Sequence, residues 1–316
     1  MPSGCKILLK ARPTPAQMSD RLAEPVPDGL ELYLDAADIS DEGWLERLVK
    51  VALEHRPNEG FDYVVEGPLR SLDGTFFSIS NGTEANVEVV RRLVLAGRKL
   101  GAKALVIHAI APRAAAKDFN REVRRGALVN ALPFLEFYSR QCRYVNLVPT
   151  LENVPPVARM RENKWVFTPI GMGPEDLMFL CGETEGLQVT LDVSHAQLYI
   201  NAIHACVERV GARLKPLVSY LQQADDVRDL NDYIARVEDR LFEAHISNAK
   251  GITGEGLPYA EGELDLDEVA RRLARRARYL VTETIEPNPE RAGHMREAQD
   301  RLRAALSALQ PVPAER

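Results

Sequence analysis

Eight short apolar or β-branched runs alternate with longer charged segments of helical spacing, and this alternation constrains the fold of the chain more than any other feature. The runs are "KILLK" (6–10), "LELYLD" (30–35), "DYVVEG" (62–67), "ALVIHA" (104–109), "YVNLVPTLE" (144–152), "LQVTLDV" (187–193), "LFEAHIS" (241–247) and "YLVTETI" (279–285). Between the third and fourth, "NGTEANVEVVRRLVLAGRKLGAK" has a polar start able to cap a helix, apolar residues at helical spacing and a glycine exit. "REVRRGALVNALPFLEFYSRQC" and "LDEVARRLARRAR" behave alike. Strand and helix alternating eight times, with connections long enough for right-handed crossovers, predict parallel pairing closed into a single (β/α)8 TIM barrel. An open doubly wound sheet is the alternative, but no GxGxxG follows an early strand. The barrel is expected over residues 1–310, with a helical insert at about 201–240 and a flexible tail at 311–316.

The 316 residues, 45% of them apolar, suffice for one large core. The formal net charge is −6, with 40 basic and 46 acidic residues spread along the chain. No basic stripe suited to a phosphate backbone exists, so nucleic acid is not an expected partner. No apolar run approaches the roughly 18 residues of a membrane span. The start, "MPSGCKILLKARP", lacks the apolar stretch of a secretion signal, and a cytoplasmic location is expected. Cys5, Cys142, Cys181 and Cys206 form no CxxC pair and are expected to be buried free thiols.

The chemistry gathers where the runs end. In "VPTLE", Val148, Thr150 and Glu152 share one face of a strand by alternation, and Glu152 closes it. In "LQVTLDV", Thr190 and Asp192 oppose Val189, Leu191 and Val193, with His195 folding back beside Asp192 from the following loop. Glu243 and His245 share a face of "LFEAHIS"; "YLVTETI" carries Glu283, and "ALVIHA" carries His108. Barrel enzymes collect such side chains at the C-terminal ends of their strands, so Glu152, Asp192, His245 and Glu283 are predicted to meet. Three carboxylates and an imidazole make a hard, oxygen-rich set that suits one divalent cation, Mn²⁺, Mg²⁺, Co²⁺ or Zn²⁺. Without a cation the carboxylates would repel and be driven toward protonation. The last strand leaves an ambiguity: if Tyr279, Val281 and Ile285 face the helices, Glu286 rather than Glu283 points inward. Glu283 is preferred because it follows its apolar run at the same distance as its counterparts. His55, His204 and His294 lie in polar or helical stretches and carry no such expectation.

With these residues in view, the chain resembles the xylose isomerase-like barrel superfamily of sugar epimerases and isomerases, inosose dehydratases and endonuclease IV. The resemblance runs from about Lys6 to Pro287. It is carried by "LEN" at 151–153, "LDVSHA" at 191–196, "HISNA" at 245–249 followed by "EGELDLDEV" at 261–269, and the last-strand glutamate. It implies a divalent metal on Glu152, Asp192, His245 and Glu283, with Glu152 and Glu283 also the acid/base pair. His195 is implied to contact substrate oxygens beside the metal. Lys250 lies near the position of a substrate-binding Arg, although here the residue is Lys. Endonuclease IV needs extra histidines, and this chain has Glu66 in "VVEGP" and Tyr259 in "GLPYAEG" where two are expected, while His108 matches. Glu66 and His108 are therefore counted with the substrate-binding residues.

The implied reaction is proton abstraction next to a carbonyl of a small sugar or polyol, with the metal stabilising the enediolate oxygen. Return of the proton to the opposite face gives epimerisation, relay between C1 and C2 isomerisation, and loss of a β-hydroxyl dehydration. Two other readings stay open. One is a metal-dependent hydrolase of phosphoesters or nucleic acid, with Glu66 and His108 on a second ion; the other is a non-catalytic barrel. A homodimer is common for barrels of this kind.

Overall fold

Alternation in "KILLKA" sends Ile7, Leu9 and Ala11 outward into the main apolar layer and leaves Leu8 among a separate inner cluster. Strands that are apolar on both sides in this way must be covered by helices outside and by one another inside, which closes the sheet. The computed structural model describes residues 4–57, 60–160, 164–224 and 226–308. It contains the expected (β/α)8 barrel: β1 (Lys6–Ala11), β2 (Gly29–Tyr33), β3 (Asp62–Glu66), β4 (Ala104–His108), β5 (Val148–Glu152), β8 (Gln188–Asp192), β9 (Leu241–Ile246) and β12 (Tyr279–Thr282), closed by parallel pairing of β1 with both β2 and β12. The strands left out of that ring form two antiparallel hairpins, β6 (Ala158–Met160) with β7 (Lys164–Val166) and β10 (Asn248–Lys250) with β11 (Gly254–Leu257). Each follows the C-terminal end of a barrel strand. Neither is foreshadowed by the sequence pattern, because three- and four-residue strands carry no readable period.

The helices are α1 (Pro15–Arg21), α2 (Trp44–Glu54), α3 (Glu84–Leu100), α4 (Arg121–Tyr144), α5 (Pro174–Glu183), α6 (Val193–Ile203), α7 (Lys215–Ala224), α8 (Leu230–Val237), α9 (Leu266–Leu273) and α10 (Gly293–Ser307). The start and stop signals of α3 act as written: Thr83 accepts from the Asn86 N–H, and Gly101 exits at φ +64°. Residues 201–240 hold the end of α6, then α7 and α8. The expected tail at 311–316 lies outside the described residues. Among the described residues no helix is long and apolar enough to cross a membrane. Cys142 and Cys181 are buried as expected, but Cys206 is exposed and Cys5 half-buried, since they sit on a loop after α6 and just before β1 rather than in the helix–sheet layer.

Inside the barrel the side chains fall into tiers. At the N-terminal end Tyr279 Oη donates to Asp62 at 3.0 Å, and Lys6 Nζ lies 2.7 Å from the same carboxylate. Leu8, Val64, Ala104, Val106, Tyr279 and Val281 pack above this plug. The fully buried Glu31, Thr150, Thr190 and Glu243 follow, and charged side chains of the strand ends crown the stack.

One glycine is required where the loops above β4 and β5 meet. Gly171 has φ +83°, and a Cβ there would stand 1.8 Å from the Ala109 carbonyl oxygen. Its own carbonyl accepts from Val154 at 2.9 Å, just past Glu152. Gly171→Ala combines a left-handed backbone, costing about 1–2 kcal/mol, with a backbone clash. We expect the urea midpoint of this variant to fall by at least the equivalent of about 2 kcal/mol; an unchanged midpoint would show that the loop readjusts freely.

Candidate functional site

The C-terminal ends of the strands surround a cavity of about 430 Å³, within the usual range for small-molecule sites. Glu152, Asp192 and Glu283 line it, and His245 lies fully buried behind them. The ambiguity on the last strand is resolved by register: Tyr279 and Val281 face the barrel interior rather than the helices. Alternation then turns Glu283 inward as well. Glu286 also lines the cavity, but it lies outside the group of close ligand atoms and accepts from the Met295 N–H at 2.8 Å, at the start of α10.

His195 lies in the first turn of α6, not in a loop: Asp192 is the helix cap and accepts the His195 backbone N–H at 2.6 Å. "LDVSHA" thus turns directly from strand into helix, which brings the ring back over the strand end. His195 Nδ1 contacts the Asn153 carbonyl at 2.9 Å and stands 3.6 Å from Glu152 and 3.8 Å from Asp192. Asn153, the third letter of "LEN", is wholly buried and clasps the Asp192 backbone, accepting its N–H at 2.7 Å and donating to its carbonyl at 3.0 Å. The short motifs are therefore joined to one another in space.

One ligand atom from each of Glu152, Asp192, His245 and Glu283 lies within 4.8 Å of the others, a span that one cation with bonds of about 2.0–2.6 Å can bridge. Glu152 Oε2, His245 Nδ1 and Glu283 Oε2 are buried with no hydrogen-bond partner. His245 Nδ1 is only 2.6 Å from Glu283 Oε2, but out of hydrogen-bond alignment. On the far side of the ring, Nε2 meets Glu31 Oε2 at 3.1 Å. A carboxylate on one ring nitrogen fixes the tautomer and leaves the other free for a metal. The donor set therefore fits a hard divalent ion, with Nδ1 as the histidine's ligand atom.

The electrostatics agree. Burial would raise the Glu152 carboxyl, but His245 and His108 outweigh it and hold the group at about 2. Burial raises Asp192 to about 6 against the pull of His195. Burial also raises Glu66, to about 7, in spite of Lys10 beside it. His245 is pushed well above its ordinary value because Glu31 and Glu283 overcome its burial. A metal entering at Nδ1 would displace that proton.

His108 and Glu66 sit on the opposite wall: His108 Nε2 is 3.2 Å from Glu66 and 3.4 Å from Glu152. With Glu152 they make a second three-residue group of close ligand atoms. Lys250 is exposed on the β10–β11 hairpin and does not line the cavity. The hairpin contributes Glu255 instead, whose Oε2 is 3.7 Å from His195 Nε2. Tyr259 donates to Asp267 at 2.9 Å, outside the cavity.

The sequence reading missed Lys10. Its Nζ contacts Glu283 directly, lies 2.5 Å from Glu66 Oε2 and 3.6 Å from Glu31 Oε1. The signal was present, since in "KILLK" Lys10 shares the inward face with Leu8 and ends its strand as Glu152 and Asp192 end theirs. A lysine closing a strand is ordinarily solvated, which hid it.

The (β/α)8 barrel is a fold shared with solved structures. The chain is similar to a D-tagatose 3-epimerase-like protein (TM-score 0.65, 14% identity, 96% of this chain and 100% of that one). It is similar to a 3-keto-D-glucoside 4-epimerase from E. coli (0.62, 14%, 95% and 99%). It is also similar to an AP endonuclease of family 2 from Brucella melitensis (0.60, 12%, 93% and 98%). No sequence-family model matches the chain, and no curated protein matches it in sequence.

Proposed function

We propose that this protein is a divalent-metal-dependent epimerase or isomerase of a small sugar or polyol, working by proton transfer next to a carbonyl. The observation that carries the reading is the meeting of Glu152, Asp192, His245 and Glu283, with buried ligand atoms that make no hydrogen bond, at the wall of an open cavity. Sugar epimerases among the solved structures of the same fold support it.

Bound on those four residues, a Mn²⁺, Mg²⁺, Co²⁺ or Zn²⁺ ion supplies Lewis acidity toward the substrate's carbonyl and neighbouring hydroxyl. The chain's own residues do the rest. Glu152 and Glu283 are both held ionised, so either can accept the proton and, as the carboxylic acid so formed, return it to the substrate directly or pass it to the other for return. His195 and His108 stand on either side of Glu152, placed to contact substrate oxygens. Leu69, Ile110, Val154 and Ile285 line the same cavity and limit water around the reacting carbon.

The test is elemental analysis of protein purified without chelator, followed by incubation with ketoses and inososes in deuterated water. One divalent ion per chain and deuterium at the carbon next to the carbonyl are expected. Absence of exchange across the panel in protein that carries its ion would overturn the reading. A two-ion phosphoester hydrolase is favoured by one observation, the second group of Glu66, His108 and Glu152. The Lys10 ammonium packed against Glu66 weighs against it.

A further inference from the structure

Beneath and beside the cavity the barrel gathers six carboxylates, faced by Lys10, His108, His195 and His245. Glu31, Glu66, Glu152, Asp192 and Glu243 are all nearly or completely buried, and Glu283 joins them at the cavity wall. Two groups of potential ligands share Glu152: one with Asp192, His245 and Glu283, the other with Glu66 and His108. Two adjoining groups of this kind have the ligands for two cations a few Å apart. Lys10 contacts one carboxylate from each group, Glu283 in the first and Glu66 in the second.

We propose that the Lys10 ammonium is the second cation of this centre, a tethered organic ion in the place of a second metal. The inference rests on the reading of the site as a metal centre. Three features favour it. The ammonium spans the two groups, touching Glu283 and lying 2.5 Å from Glu66. Its stem is anchored in β1, so the charge cannot be exchanged or chelated. It also lines the cavity, where it presents fixed positive charge. Lys10 thereby sets the metal count at one and makes the site selective for chemistry that needs one exchangeable ion.

The experiment is a count of Mn²⁺ per chain, by elemental analysis after equilibration with excess MnCl₂ and gel filtration. Electron paramagnetic resonance distinguishes isolated Mn²⁺ from exchange-coupled pairs. Wild type and Lys10→Arg are expected to bind one ion, and Lys10→Met two, with a coupled signal. Lys10→Met/Glu66→Gln should return to one. Lys10→Gln, purified with Mn²⁺ throughout, gives the same count if Lys10→Met folds poorly. A neutral Lys10 variant with wild-type circular dichroism and still one ion overturns the inference alone. Two ions in the wild type also overturn it. No ion in the wild type overturns the metal-centre reading itself, and this inference with it.

Discussion

Glu152→Gln is expected to strip the protein of its metal and to lower turnover by about 10³-fold or more. The substitution keeps the shape of the side chain and removes its charge. Glu152 lies 3.4 Å from His245, 3.6 Å from His195 and 3.4 Å from His108, so one carboxylate balances all three rings. Loss of a general acid/base alone costs about 10²- to 10⁴-fold, and loss of the Lewis acid adds several kcal/mol, each 1.36 kcal/mol being tenfold. Metal content and the rate of deuterium exchange check the result together. Glu286→Gln is the matched control: it should keep the metal and the bond from Met295 N–H, and lose only the negative charge at a helix start, worth about 0.3–1 kcal/mol. A Glu286→Gln protein without metal, beside a Glu283→Gln protein that retains it, would reverse the assignment on the last strand.

The second large effect concerns stability. Asp192 is raised from 3.8 to about 6 in the folded chain, and Glu66 from 4.5 to about 7. Groups whose folded values are raised contribute stability that is complete below their unfolded values and disappears as pH rises through the folded ones. The metal-free protein should therefore weaken between about pH 4 and pH 7, by a few kcal/mol, since each tenfold change in proton affinity on folding is worth about 1.36 kcal/mol. Glu152, held at about 2, acts oppositely, but its contribution is lost only as the pH falls from 4.5 through 2 and so lies mostly outside this window. Divalent metal inverts the trend. Its ligands must be deprotonated, so affinity grows with pH, and an ion at 1,000 times its dissociation constant adds about 4 kcal/mol. Urea midpoints from pH 4.5 to 8, with Mn²⁺ or with a chelator, check this. Parallel profiles in the two series would sink the expectation.

Much of the barrel was legible because its strands are buried on both faces and read as apolar runs bounded by helical segments. Glu152, Asp192 and His245 were legible for a related reason: a charged residue closing a run of "VTLD" or "EAHI" type has no bland role inside a closed sheet. Glu283 was harder, since the inward Tyr279 and Val281 fill the barrel's own interior and look like outward core residues. Lys10 and Glu31 escaped notice because "KILLK" and "LELYLD" carry charges that sequence reading assigns to water. Nothing in either run says that Glu31 meets His245 or that Lys10 meets Glu283 at the end of the neighbouring strand. Glu255 was invisible for another reason, as it reaches His195 only through the β10–β11 hairpin, whose turn includes Gly251 at φ +63°. Lys250, which the resemblance suggested as a substrate contact, lies on the outer side of the same hairpin.

The plug of Lys6, Asp62 and Tyr279, with the apolar tier above it, seals the barrel from below. Ion, substrate and product must then share one doorway. In the proposed enzyme this imposes an order of events, with the ion entering before the substrate and the substrate acting as a stopper over it. A chelator can strip the ion only in the intervals when the doorway is empty, so saturating substrate should lengthen the lifetime of the loaded enzyme.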